Sequence, residues 1–177
     1  PRTSLIHKEK ITIGWTGTFS SKSYLDIVLP SLEALYQERD FKMKIIGNFE
    51  MENPALDLEV VQWNEADEVD HLQDIDIGLY PLSQNDWVSG KSGLKAMQYM
   101  SIGIPPVCSA VGNVLNFIEN NEDGILIYNE DDWLVNLESL VRDRKKRQMI
   151  GKKARIKFKN DFSQERIFKQ YFDLIES

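Results

Sequence analysis

Residues 75–109 read IDIGLYPLSQNDWVSGKSGLKAMQYMSIGIPPVCS, and the fold class turns on them. Ile75–Tyr80 is a short apolar run closed by Pro81, which predicts a buried strand. Ser92–Met100 predicts a helix, and Pro106–Ser109 a second short strand. A strand–helix–strand unit is a crossover connection, and crossovers build parallel sheet. The same alternation continues outward. Upstream, strands are predicted at Ile11–Thr16, Phe41–Ile46 and Leu58–Trp63, and helices at Tyr24–Glu38 and Glu65–Leu72. In the first of these helices Leu25, Val28, Leu29, Leu32 and Leu35 recur at helical spacing. Downstream come a short helix at Val114–Asn120, a strand at Gly124–Tyr128, and helices at Asp131–Arg142, Lys145–Asn160 and Ser163–Glu176. Ser163, followed by Gln164 and Glu165, has the form of a helix N-cap with an acidic first turn. The prediction is an α/β domain: a doubly wound, Rossmann-like parallel sheet of about six strands with helices on both faces.

The 177 residues suffice for one ordinary core. Hydrophobic residues make up 42% and charged residues 28%, a globular balance. No apolar run approaches the ~20 residues of a membrane span, and the opening PRTSLIHKEK has no apolar stretch of a secretory signal. Residues 1–10 are expected to be a disordered or linker start, 11–177 the domain, and the whole a fragment of something longer. Cys108 is the single cysteine. It excludes an intramolecular disulfide and fits a reducing, cytoplasmic setting. A buried inert thiol is its expected state, since no activating base is visible beside it. The net charge is −7, which argues against a nucleic-acid partner. Arg142–Lys159 nevertheless holds ten of the 21 basic residues. That block reads either as solvated helices or as a peripheral contact for phosphates or an anionic membrane surface.

Doubly wound sheets take ligands outside the carboxyl ends of their strands, so the residues just after each strand are the candidates. Gly14-Trp15-Thr16-Gly17-Thr18-Phe19-Ser20-Ser21 is a small hydroxyl-rich turn where backbone can approach a phosphate. It is neither G-x-G-x-x-G nor a Walker loop, and a plain tight turn remains open. Gly90-Lys91-Ser92-Gly93-Leu94-Lys95 opens a helix. Lys91 and Lys95 are four apart and share a face. Two cations beside free helix N–H groups suit a diphosphate. Gln98, one turn on, can bond ribose or sugar hydroxyls. From spacing alone, an ordinary solvated helix start remains open.

This segment resembles the donor-binding motif of GT-B glycosyltransferases, in particular the C-terminal domain of glycosyltransferase family 4-like (group 1) proteins. The similarity lies in Pro81-Leu82, Asp86-Trp87, Gly90-Lys91-Ser92-Gly93-Leu94-Lys95, Gln98-Tyr99-Met100 and Gly103-Ile104-Pro105. Ile13-Gly14-Trp15-Thr16-Gly17-Thr18, Gly112 and Glu122-Asp123-Gly124-Ile125-Leu126-Ile127 extend it over most of the chain. The resemblance implies the C-terminal half of a GT-B fold and a nucleotide-diphosphate sugar as donor. It implies transfer with retention, an acceptor site on an N-terminal domain absent from this chain, and a role in polysaccharide biosynthesis. It assigns the diphosphate to Gly17, Thr18, Lys91, Ser92, Gly93 and Lys95, with Gln98 on ribose or sugar hydroxyls. It implies no cofactor and no metal. Two glutamates eight apart are usual in the family, and here Gly90 and Gln98 stand in their places. The isolated chain is then expected to bind donor without transferring sugar. A non-catalytic nucleotide- or protein-binding module of the same fold is the alternative, and a sugar-nucleotide epimerase a third reading.

Asp74-Ile75-Asp76 spells the D-x-D of metal-dependent transferases. It stands at the start of a predicted strand, away from the ligand end, and is read as structural. His7 and His71 lack the spacing of a metal pair. Trp15, Trp63, Trp87 and Trp133 each suit a core. Trp63 also ends a strand on the ligand side, so Trp63 and Asn64 are candidates to contact a base.

Overall fold

The computed structural model describes residues 10–83 and 90–175. His7, Asp86 and Trp87 lie outside the described residues, as does the predicted N-terminal tail except Lys10. Lys10 itself pairs with Asp40 at 2.8 Å and Asp57 at 3.2 Å.

Six strands form one sheet: β1 (Ile11–Gly17), β2 (Phe41–Gly47), β3 (Leu58–Gln62), β4 (Ile77–Tyr80), β5 (Pro106–Ser109) and β6 (Ile125–Ile127). All neighbours pair in parallel, in the order β3-β2-β1-β4-β5-β6. The α-helices among the described residues are α1 (Leu29–Glu38), α2 (Glu68–Gln73), α3 (Leu94–Ile102), α4 (Val114–Phe117), α5 (Asp132–Arg142), α6 (Arg144–Asp161) and α7 (Gln164–Ile175). This is the expected doubly wound, Rossmann-like fold. The order reverses between β1 and β4, which makes that gap the switch point where such sheets open a crevice.

The strands read as continuous apolar runs because both faces are covered. Ile13, Ile45, Ile77, Leu79 and Val107 are fully buried. Leu25, Val28, Leu32 and Leu35 pack against them from the α1 side, and Trp133, Leu137 and Leu140 do so from α5.

Four predicted helices differ in detail: that expected over Val114–Asn120 ends at Phe117, where Ile118 turns extended, and the other three each differ for a local reason. The predicted Tyr24–Glu38 helix divides into a 3-10 segment, Phe19–Ile27, and α1. Pro30 lies in the first turn of α1; it has no N–H to continue a preceding helix, and its ring would meet the carbonyl a turn earlier. The predicted Glu65–Leu72 helix begins only at Glu68. Before it, Asn64 closes a turn, accepting from Ala66 N at 3.0 Å and donating to Asp67 Oδ2 at 3.1 Å. The helix predicted from Ser92 begins at Leu94, because Gly93 caps it in the left-handed conformation at φ 79°. Ser163 caps α7 as expected, accepting from Arg166 N at 3.3 Å.

The D-x-D carboxylates hold strands together. Asp76 Oδ2 accepts from Thr12 N at 3.0 Å, while Asp76 N donates to Thr12 O at 2.8 Å. Asp74 pairs at 2.8 Å with Lys44, whose side chain is 4% exposed. Much of the basic block also serves the fold. Lys157 bonds the buried Asp123 at 2.8 Å, Lys153 pairs with Glu122, and Arg147 donates to the last carbonyls of α5. Arg144, Lys145, Lys152 and Lys159 are exposed. Cys108 is fully buried in β5, where desolvation pushes its thiol pKa up, as expected of an inert thiol. No described helix is long and apolar enough to cross a membrane.

Candidate functional site

A cleft of about 620 Å³ opens along the carboxyl ends of the strands. Its walls come from the β1 turn, the 3-10 segment, the loop after β4, the start of α3, and the β3–α2 connection. Gly17, Thr18, Lys91, Ser92, Lys95, Gln98 and Trp63 all line it. Sequence reasoning had drawn these seven from three separate segments.

The β1 turn is held in shape by its own hydroxyls. Thr18 N donates to Ser21 Oγ at 3.1 Å, and Thr18 Oγ1 lies 2.9 Å from Ser20 Oγ. Asn48, just after β2, accepts from Phe19 N at 2.7 Å. Gly17 is required by contact. A Cβ there would sit 2.2 Å from the Trp15 indole and 2.6 Å from Lys95 Nζ. The turn therefore lies directly against both side chains.

The second wall is the start of α3. Gly93 is not itself part of the lining; it is buried, and a Cβ on it would meet the Phe117 ring at 2.8 Å. Its part is to set the direction of α3. Asn113 fixes the segment just before it by donating to Ser92 O at 2.8 Å. The first N–H groups of α3 then face the cleft end of the helix with their positive dipole. Further along α3, the Tyr99 hydroxyl is buried. It accepts from Thr16 N at 3.2 Å and donates to Leu79 O at 3.3 Å, tying α3 to β1 and β4 across the switch point.

The two lysines occupy different surroundings. Lys91 Nζ lies 4.3 Å from the Tyr24 ring centroid, and Lys95 Nζ lies 4.8 Å from that of Trp15. Lys95 Nζ also donates to Thr16 O. Burial, with Lys91 as a second cause, lowers the Lys95 pKa to about 8; Glu68 acts in the opposite direction. Such a cation lacks full charge compensation, and an arriving anion would supply it.

At the far side, Trp63 is 49% exposed, and its backbone N–H donates to Gly47 O at 2.8 Å. Its indole is thus available to the cleft, whereas Trp15 and Trp133 are core residues at 1% exposure. Asn64 is not among the residues lining the cleft; its amide bonds Ala66 N and Asp67 in the turn ahead of α2. Gln98 Nε2 donates to Glu68 Oε1 at 3.3 Å. Sequence reasoning missed Glu68, Tyr24 and Tyr80, which also line the cleft. Nothing local marks them, since each reaches the site only through the packing of its element. Among the described residues no group of three His, Cys, Asp or Glu could hold a metal ion.

The fold recurs in solved structures of low sequence identity. S. aureus TarM, in a crystal structure containing UDP, superposes with a TM-score of 0.77 at 19% identity, over 95% of this chain and 36% of that one. Anabaena HepE, solved with UDP and glucose, gives 0.76 at 13% identity, over 94% and 48%. The C-terminal domain of the glycosyl transferase group 1 family protein LpcC from Francisella tularensis gives 0.71 at 14% identity, over 87% of each. The chain thus spans about a third to a half of the TarM and HepE chains. Comparison with curated proteins finds no match. The model of the family described as glycosyl transferases group 1 matches residues 1–157. With nearly nine-tenths of its length matched and the fold of such proteins, the chain belongs to the glycosyl transferases group 1 family.

Proposed function

We propose that this chain is the C-terminal, donor-binding half of a GT-B glycosyltransferase of the family 4-like type, which takes a nucleotide-diphosphate sugar and transfers the sugar with retention. One observation carries the reading: Lys91, in the segment just before the Gly93 cap of α3, and Lys95, in the first turn of α3, converge with the Gly17–Thr18 turn on a single cleft at the switch point. A diphosphate is the ligand such a cleft suits. It would lie against the helix start, with both lysines and Ser92 in reach and Gln98 placed for hydroxyls. In the transfer step, the charge that builds on the leaving diphosphate would be met by preorganised cations and N–H dipoles, which need no reorganisation at that moment. Trp63 would stack on the base. Lysines and helix dipole would take the part that a divalent ion plays elsewhere, with no cofactor. The acceptor and the remaining catalytic groups would come from an N-terminal domain of the same protein, so this chain alone would bind donor without transferring it.

A thermal-shift titration with UDP-, GDP- and dTDP-sugars, each beside its plain nucleotide, tests this. One family of nucleotide sugars should raise the melting temperature above its nucleotide, with no sugar released to acceptor. Equal shifts with and without the sugar would favour the non-catalytic nucleotide-binding module. The exposed cations of α6 also suggest peripheral contact with an anionic membrane, on the cytoplasmic side. Flotation should then show binding to vesicles with anionic lipid and little to neutral ones. Equal recovery in the two would remove the membrane contact.

A further inference from the structure

We infer that Glu68 is the carboxylate that receives the ribose hydroxyls of the donor, and that the cleft therefore selects ribonucleoside diphosphates over their 2′-deoxy counterparts. This rests on the reading of the cleft as a nucleotide site. Glu68 is the first residue of α2 and is half-buried at the cleft wall. It is bound to α3 by the 3.3 Å hydrogen bond from Gln98 Nε2 to its Oε1. Gln98 lies one turn beyond Lys95, and Glu68 follows Trp63 by five residues. The carboxylate is therefore joined by contact to the helix bearing Lys95, and by chain to the indole proposed for the base. A nucleoside diphosphate has its ribose between those two parts.

The chemistry fits that position. A carboxylate has two oxygens and only accepts hydrogen bonds. A vicinal diol offers two O–H donors side by side, which one carboxylate can take together through charge-assisted bonds. Gln98 occupies one acceptor direction of Oε1 and holds the group in place, while its own amide oxygen keeps its capacity to accept. Gln98 alone, as an uncharged amide, makes weaker bonds and would discriminate less. A carboxylate beside the phosphate lysines has a cost, since it repels the diphosphate. A group serving only as a counter-ion to Lys95 would show that repulsion and nothing else, and this separates the two roles.

The test uses UDP, GDP and ADP, each beside its 2′-deoxy form, titrated into the wild-type chain and into Glu68→Ala and Glu68→Gln. Wild type should bind the preferred ribonucleotide about tenfold more tightly than its deoxy form, the size of one charge-assisted hydrogen bond. In Glu68→Ala the preference should fall to about twofold or less, with deoxynucleotide affinity unchanged or higher because a repelling charge has gone. Glu68→Gln should fall between the two. Melting curves identify any variant that has not folded; Glu68→Gln, nearly isosteric, keeps the test decisive if Glu68→Ala fails. Survival of the full ribose preference in a folded variant overturns the assignment while leaving the nucleotide site standing. Absence of any nucleotide binding to wild type overturns both.

Discussion

Trp15→Ala is expected to remove about 3–5 kcal/mol from the free energy of unfolding, the usual cost of truncating a large buried aromatic. A domain of this size has only about 5–15 kcal/mol in total, so the variant should melt far below wild type or fail to fold. The location explains the size. Trp15 is 1% exposed in the central strand, paired in register with Ile45 of β2 and Leu79 of β4. Its ring meets Phe49 edge-on at 5.9 Å. The same indole supports the site: it fills the space that a Gly17 side chain would need, and Lys95 lies over it. Trp15→Phe, which retains apolar bulk, should lose less stability yet still weaken nucleotide binding by loosening the turn and Lys95. Trp63→Ala is the matched control. With half its surface already in water, it should cost roughly 1 kcal/mol or less. Equal losses from the two in denaturant titrations would contradict the placement of Trp15 beneath the site.

The tryptophans also show how far the sequence could be read. All four suit a core by composition; the place of Trp63 at a strand end already set it apart, and the fold bears this out by burying Trp15 and Trp133 while leaving Trp63 half exposed. The strands were legible because a parallel sheet covered on both faces demands apolar runs, and β5 has the predicted bounds, Pro106–Ser109. Helix starts were less legible. They depend on single backbone choices, such as the left-handed φ of Gly93 and the break at Pro30, that periodicity does not register. In the site, Lys95 and Gln98 were readable together because one helix presents them at fixed spacing, whereas Lys91 lies before the Gly93 cap and reaches the cleft from the preceding segment rather than from the helix face its spacing predicts. Glu68 was not readable, since its relation to Gln98 is made across thirty residues by the docking of α2 on α3. The turn bonds of Asn64 were hidden for a related reason: proximity to a strand end shows that a residue is near the ligand edge, not what its amide bonds.

Lys95→Ala should weaken nucleoside diphosphate binding by about 1–3 kcal/mol, or roughly fivefold to 150-fold, as one charge-assisted contact is lost. The pH dependence makes this prediction specific. In the ligand-free protein, burial and then Lys91 lower the Lys95 pKa to about 8, against the opposing pull of Glu68. A bound diphosphate adds negative charge beside the amine and raises that pKa. Between the free and bound values the complex holds more protons than its separated parts, so binding takes up a proton there. Affinity should be flat below about pH 7 and fall as pH rises through 8, by roughly tenfold at pH 9 if the charged amine is required. The nucleotide does not confound this, since a terminal phosphate with its second pKa near about 6 is already ionised. Stability of the free protein should move the other way. The folded pKa lies below the unfolded one, so the unfolded chain holds more protons between them and stability rises with pH across that window. Calorimetry in two buffers of different ionisation heat, from pH 7 to 9, measures the proton uptake directly. Lys95→Ala should abolish it along with the slope, and Lys95→Arg, always charged, should abolish the slope while retaining more of the binding. A slope that persists in Lys95→Ala would place the titrating group elsewhere and remove Lys95 from the phosphate contact.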